Sequence, residues 1–332
     1  MQGRLRRPRA PGGLALLLGI LVGGGGAGGA APAALACDPS TVVLGLDIGH
    51  TLARPGATSA RGRPEFGFNQ ALGQTIAAAV RRDGAFRVVV INADGTMAGL
   101  TQRPAAARAA GATVFLSVHH DSVQPRYLQT WRGETGTGPV IPYSDRFSGF
   151  SVFVSAANPQ PRESERWGRA VGRALVAAGL APTLHHAEPI EGENRPLLDP
   201  ALGLYRFDGL AVLRAATMPA ALLEAGLIVN RADERVLASP AGQDRIARAV
   251  VGALHAYCAG LPASPEPPGL SSSEAPASAR PVPMAPAPGR ESGPAIEGKG
   301  SRESGEAMPP PGESWTPTFF PPSSTPQAPW PR

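Results

Sequence analysis

Short apolar runs, each closed by polar or turn-forming residues, recur through the middle of the chain. Val42-Val43-Leu44-Gly45-Leu46-Asp47 breaks at Ile48-Gly49-His50, where a glycine lets the backbone turn. Thr113-Val114-Phe115-Leu116-Ser117-Val118 ends in His119, and Pro219-Ala220-Ala221-Leu222-Leu223 ends in Glu224. Together with similar runs elsewhere, these predict strands at 42–47, 87–91, 113–119, 151–155 and 220–224. Between them Phe68, Leu72, Ile76 and Val80 recur at helical spacing, so 66–81 reads as an amphipathic helix, as do 164–178 and 243–257, with a shorter one over 103–110. Strands alternating with helices predict an α/β fold: a single domain over 37–260, with a twisted, mostly parallel sheet and helices on both faces.

The flanks carry different patterns. Arg4, Arg6, Arg7 and Arg9 precede an apolar core from Leu14 to Val22 and a small-x-small site at Ala34-Leu35-Ala36, so 1–36 reads as a secretory signal peptide and the domain as exported, periplasmic or secreted. After Gly260 the composition shifts to Pro, Ser, Gly and Ala, which cannot bury enough apolar surface to offset ordering entropy; 261–332 is expected to be a disordered tail. Trp315, Phe319, Phe320 and Trp330 near its end are candidates for docking a protein partner.

Charge and cysteine usage refine this picture. The leader holds four of the 31 basic residues and no acidic ones, which leaves 27 basic against 26 acidic side chains and gives no case for a nucleic-acid partner. The only cysteines, Cys37 and Cys258, bracket the domain, and in an oxidising compartment they are placed for a disulfide; the alternative is a lipid anchor on Cys37, since Ala34-Leu35-Ala36-Cys37 is also a weak lipobox. The sequence sets no oligomeric state.

Candidate chemistry lies at the ends of the apolar runs. His50, His119 and Glu224 close predicted strands, and Glu65 stands just ahead of the first helix. In α/β sheets ligands gather beyond the carboxyl ends of strands, so these residues are placed to converge. Two imidazoles and a carboxylate are a usual ligand set for a catalytic zinc with an open position, and a further carboxylate serves as general base.

These residues resemble a known family, the zinc-dependent N-acetylmuramoyl-L-alanine amidases. Asp47-Ile48-Gly49-His50 with Pro55-Gly56-Ala57, Glu65 with Asn69, Ser117-Val118-His119-His120-Asp121-Ser122, and Glu224-Ala225-Gly226-Leu227-Ile228-Val229-Asn230 with Asp233-Glu234 and Leu237 are similar to the family's four blocks, in its order, across about 42–257. The resemblance implies that His50, Glu65 and His119 hold Zn2+, that Glu224 activates water, and that the substrate is peptidoglycan, cut between N-acetylmuramic acid and L-alanine. One zinc per chain is expected. The chain departs from the family at Thr51-Leu52, where two glycines usually follow the first histidine. It departs again at Asn92, where a Thr-Arg pair is usual, at His120 in place of a small residue, and in an insertion over 124–149. The aromatics of that insertion, Tyr127, Trp131, Tyr143 and Phe147, suit either a cleft lining or a plain surface loop.

Other histidines read as ordinary. His120 should face away from His119 on an extended strand. His185 and His186, near Glu188, Glu191 and Glu193, sit among turn residues and charge and read as an exposed loop rather than a second metal site; His255 reads as a partly exposed helix residue. The alternatives to an amidase are a non-catalytic peptidoglycan-binding protein of the same fold, which retention of Glu224 argues against, and a zinc peptidase acting on stem peptides.

Overall fold

The apolar runs become the inner strands of one sheet. A computed structural model describes residues 37–260, so the expected leader and tail lie outside the described residues. In chain order the elements are β1 (Val43–Ile48), α1 (Glu65–Asp83), β2 (Arg87–Ile91), α2 (Gln102–Ala109), β3 (Val114–Asp121), β4 (Gln129–Trp131), β5 (Ile141–Tyr143), β6 (Ser151–Val154) and α3 (Pro161–Ala177). There follow β7 (Leu197–Asp199), β8 (Leu204–Arg206), α4 (Ala211–Ala215), β9 (Ala220–Leu227), α5 (Arg231–Ala238) and α6 (Pro240–Cys258).

Among the described residues the main sheet runs β2-β1-β3-β9-β6-β8-β7. Pairing is parallel from β2 through β1 and β3 to β9 and again between β6 and β8, and antiparallel at β6–β9 and β7–β8. The mostly parallel α/β fold is therefore as expected, except that the 151–155 strand runs against its neighbour β9. Parallel strands are covered on both faces and read as continuous apolar runs; every residue of β1 is buried.

The two faces carry separate cores. On one, Leu44, Leu46, Leu116, Val118, Leu223 and Val152 pack against α1, α3 and α6, whose buried stripes are Phe68-Leu72-Ile76, Trp167-Val171-Leu175 and Ile246-Val250-Leu254. On the other, Phe115, Phe153, Ala220 and Leu222 pack against Ala107 of α2 and Val212 and Leu213 of α4. The insertion forms the small antiparallel β4–β5 hairpin, in which Trp131 meets Tyr143 and the indole Nε1 donates to the Ala60 carbonyl at 2.6 Å. Cys37 and Cys258 form the expected disulfide, with Cα atoms 4.8 Å apart, within the usual range.

Candidate metal centre

His50, Glu65 and His119 arrive from three different elements and meet at the carboxyl ends of β1 and β3. Glu65 is the first residue of α1, where a carboxylate suits the positive helix end, and it is only 3% exposed. Its Oε2 lies 3.0 Å from His50 Nε2 and accepts from Ala57 N at 3.0 Å. Its Oε1 lies 3.1 Å from His119 Nδ1 and accepts from Asn69 Nδ2 at 3.0 Å and His120 N at 3.2 Å. One ligand atom from each of the three residues can be chosen with all lying within 4.8 Å of one another. Burial alone would raise the Glu65 carboxyl, but His50 and His119 outweigh it and hold the group well below the usual carboxylate range. Burial likewise opposes charge on His50, and Glu65 overcomes it, so His50 is raised.

Glu224 stands in register with His119 across the β3–β9 pair. Its Oε2 is buried without a hydrogen-bond partner, and burial, with repulsion from Asp121 and Glu65, holds its carboxyl well above the usual range. Two neighbouring carboxylates with environments that push them in opposite directions are the usual sign of distinct roles.

The turn after β1 works differently from the sequence reading. His50, not Gly49, takes the left-handed conformation, at φ 65°. Gly49 is needed for close approach, since a methyl group there would overlap the His119 ring; Gly56, at φ 81°, lies against Glu65 Oε2 and the His50 ring in the same way. Gly49→Ala is accordingly expected to separate the two histidines and weaken metal binding at least tenfold, while the secondary structure stays intact. Metal titration of the variant, with circular dichroism as the folding check, tests this.

Two residues hold this turn: Asn92, noted in the sequence only as a departure from the family, and Arg103, which the sequence did not single out. Asn92, itself left-handed at φ 58°, donates from Nδ2 to the carbonyls of Ile48 and His50, both at 2.7 Å. Arg103, buried at 2% exposure, donates to the Ile48 carbonyl at 2.9 Å and the His50 carbonyl at 2.5 Å, and its Nη1 is 3.3 Å from Asp47 Oδ1. Asp47 is fully buried and also accepts from Ser117 Oγ at 2.8 Å. A charged residue inside an apolar strand demands a partner, so Asp47 was the available signal for Arg103. Arg103→Ala would strand that carboxylate, and a loss of about 3 kcal/mol in denaturant unfolding is expected.

His120 turns to the opposite face, as alternation requires: its Nδ1 pairs with Asn69 Oδ1 at 2.7 Å, and burial lowers it to about 3, so it stays neutral. In the terminal motif, Asp233 accepts from Gly149 N at 2.8 Å, and Glu234 accepts from Ser59 Oγ at 2.6 Å and pairs with Arg61; both brace loops around the site. His255 is partly exposed and pairs with Asp83 at 3.0 Å. The exposed-loop reading of His185 and His186 is overturned. His185 is 2% exposed, and His186 lies between Asp121 and Glu193, 2.8 Å from each; burial is outweighed by the two carboxylates, which raise it to about 9.

Comparison with known proteins bears on this arrangement. The sequence model described as N-acetylmuramoyl-L-alanine amidase matches residues 44–256. The chain belongs to that family. It is a peptidoglycan amidase, a hydrolase of the cell wall, and its family is metal-dependent. No curated protein matches the chain. Three solved amidases share the fold. That of Mycobacterium smegmatis is 20% identical with a TM-score of 0.52, the match covering 67% of this chain and 98% of the other. That of Mycobacterium abscessus is 23% identical with a TM-score of 0.51, covering 66% and 99%. That of Clostridium difficile 630 is 19% identical with a TM-score of 0.50, covering 66% and 97%.

Proposed function

We propose that this amidase holds zinc through His50, Glu65 and His119 and that Glu224 is the general base that cuts the amide between N-acetylmuramic acid and L-alanine. The observation that carries the reading is the meeting of two imidazoles on the single buried carboxylate of Glu65, with Glu224 in register with His119. The donor set fits the metal: two nitrogens and an oxygen suit zinc, and the buried, unpartnered Oε2 of Glu224 fits a base beside it. When bound, zinc supplies Lewis acidity that polarises a carbonyl and makes water acidic near neutral pH.

The side chains account for the remaining chemistry. Glu224 takes the proton of the attacking water and returns it to the departing amine of L-alanine. Asn69 and the His120 amide hold Glu65 so that its two oxygens face the two histidines. Asn92 and Arg103 fix the turn that presents His50. The test is metal content: His50→Ala plus His119→Ala should lose the zinc of this site, and a folded double variant whose zinc at this site survived would overturn the ligand assignment.

Export is proposed because a peptidoglycan amidase acts on the cell wall. Cleavage of the 1–36 leader would make Cys37 the first residue, and the disulfide favours a periplasmic or secreted enzyme over a lipid anchor on that sulfur. No described helix is long and apolar enough to cross a membrane. The 261–332 segment, which lies outside the described residues, is proposed to serve location or recruitment. Deleting 264–332 is expected to leave zinc content and soluble activity within about twofold of the full chain; loss of zinc or a much lower melting temperature would show that the segment packs on the domain.

A further inference from the structure

A second group of metal-ligating side chains lies outside the site described above. Asp121 ends β3, two residues after His119, and His185 and His186 approach it from a 3-10 turn. Asp121 Oδ2 is 2.8 Å from His186 Nε2 and 3.4 Å from His185 Nε2, while Oδ1 accepts from Ser122 N at 2.8 Å and fixes the carboxylate. Each ring is tied at its other nitrogen. His185 Nδ1 is 2.9 Å from Thr183 Oγ1, and His186 Nδ1 is 2.8 Å from Glu193 Oε2. The second Glu193 oxygen accepts from Gln124 Nε2 at 2.9 Å. Aromatic rings wall the group: Phe147 stacks on His185 at 5.2 Å, and Phe153 meets His186 edge-on at 4.9 Å.

This arrangement leaves an imbalance. Glu193 accepts a hydrogen bond from His186 Nδ1–H, so in the neutral ring the lone pair of His186 Nε2 faces the Asp121 oxygen unless something positive lies between them. A proton on that nitrogen would satisfy His186 alone. It would leave His185 Nε2 buried and unpartnered, in a side chain 1% exposed. A cation would satisfy all three atoms at once, and a ligand atom from each residue lies within 4.8 Å of the other two. A carboxylate on the remote nitrogen of a histidine, as Glu193 is on His186, is the usual outer partner of a metal-binding histidine. The grouping also repeats that of the first site, two imidazoles on one carboxylate.

We propose that Asp121, His185 and His186 form a second site for a divalent transition metal, with Glu193 and Thr183 orienting the two rings. Two nitrogens and one carboxylate suit zinc, and Asp121 with Glu193 balances the charge of a dication. The ion would fasten the 183–195 loop to the end of β3. The expected stoichiometry therefore becomes two metals per chain rather than one.

Zinc itself is the probe, measured by elemental analysis after chelation and reloading of the purified full chain. Wild type should hold two zinc ions, His50→Ala plus His119→Ala one, His185→Ala plus His186→Ala one, and the quadruple variant none. Glu193→Gln should weaken the second site about 10–100-fold. A wild type with one zinc that the His185/His186 variant keeps would overturn this proposal and leave the first site standing. A folded His50/His119 variant with no zinc would overturn it equally, and that variant keeps the test available if the buried pair cannot be replaced without unfolding. One zinc that survives in the His50/His119 variant and is lost on removing His185 and His186 would support the second site and sink the first.

Discussion

Glu224→Gln is expected to keep its metal and lose about 10²–10⁴-fold in turnover, the range over which a positioned general base contributes. Glutamine preserves the size of the side chain but cannot take a proton from water. Folding should not suffer. Whereas the charge of a bound cation would favour the carboxylate that acts as base, in the metal-free protein the Glu224 carboxyl, buried near Asp121 and Glu65, is raised and favours the neutral form. That contribution is fully present below the ordinary carboxylate range and is lost as pH rises through the raised native value. An amide removes the penalty, so the metal-free variant should be as stable as wild type at low pH and more stable at neutral pH. A variant that turned over within tenfold of wild type would require a different base.

Loss of the Cys37–Cys258 disulfide is expected to lower stability by about 5 kcal/mol at most, because it closes a loop whose ends are 221 residues apart. For a domain of this size that corresponds to a fall of roughly 10–20 °C in melting temperature. Cys37→Ser plus Cys258→Ser, followed by thermal unfolding, measures it. The intact mass of the natural protein should rise by two hydrogens on reduction; an unchanged mass, or a diacylglycerol on Cys37, would contradict the pairing.

Much of this was legible in the chain because the inner strands are buried on both faces and so read as unbroken apolar runs ending at His119 and Glu224. The direction of β6 was not legible, since alternation fixes which face a side chain takes and says nothing of which way a strand runs. β4, β5, β7 and β8 are three residues each, too short for any period to show. His50 and His119 were readable as polar residues closing apolar runs and Glu65 as a carboxylate at a helix start, whereas Asn92 and Arg103 act through carbonyls more than forty positions away in sequence. His185 and His186 were misread because turn residues and charge suggest exposure; here the charges are partners of the histidines, and Phe147, Phe153 and Tyr205 bury the rings.

The most direct measurement is digestion of purified peptidoglycan sacculi with mass spectrometry of the released ends, using wild type, chelated wild type and the His50→Ala plus His119→Ala variant. Wild type alone should release intact stem peptides with a free L-alanine amine and leave glycan strands bare at the lactyl group, and zinc should restore this release to the chelated enzyme. Cleavage within the stem peptides, or equal release by the double variant, would contradict the proposed zinc-dependent cleavage.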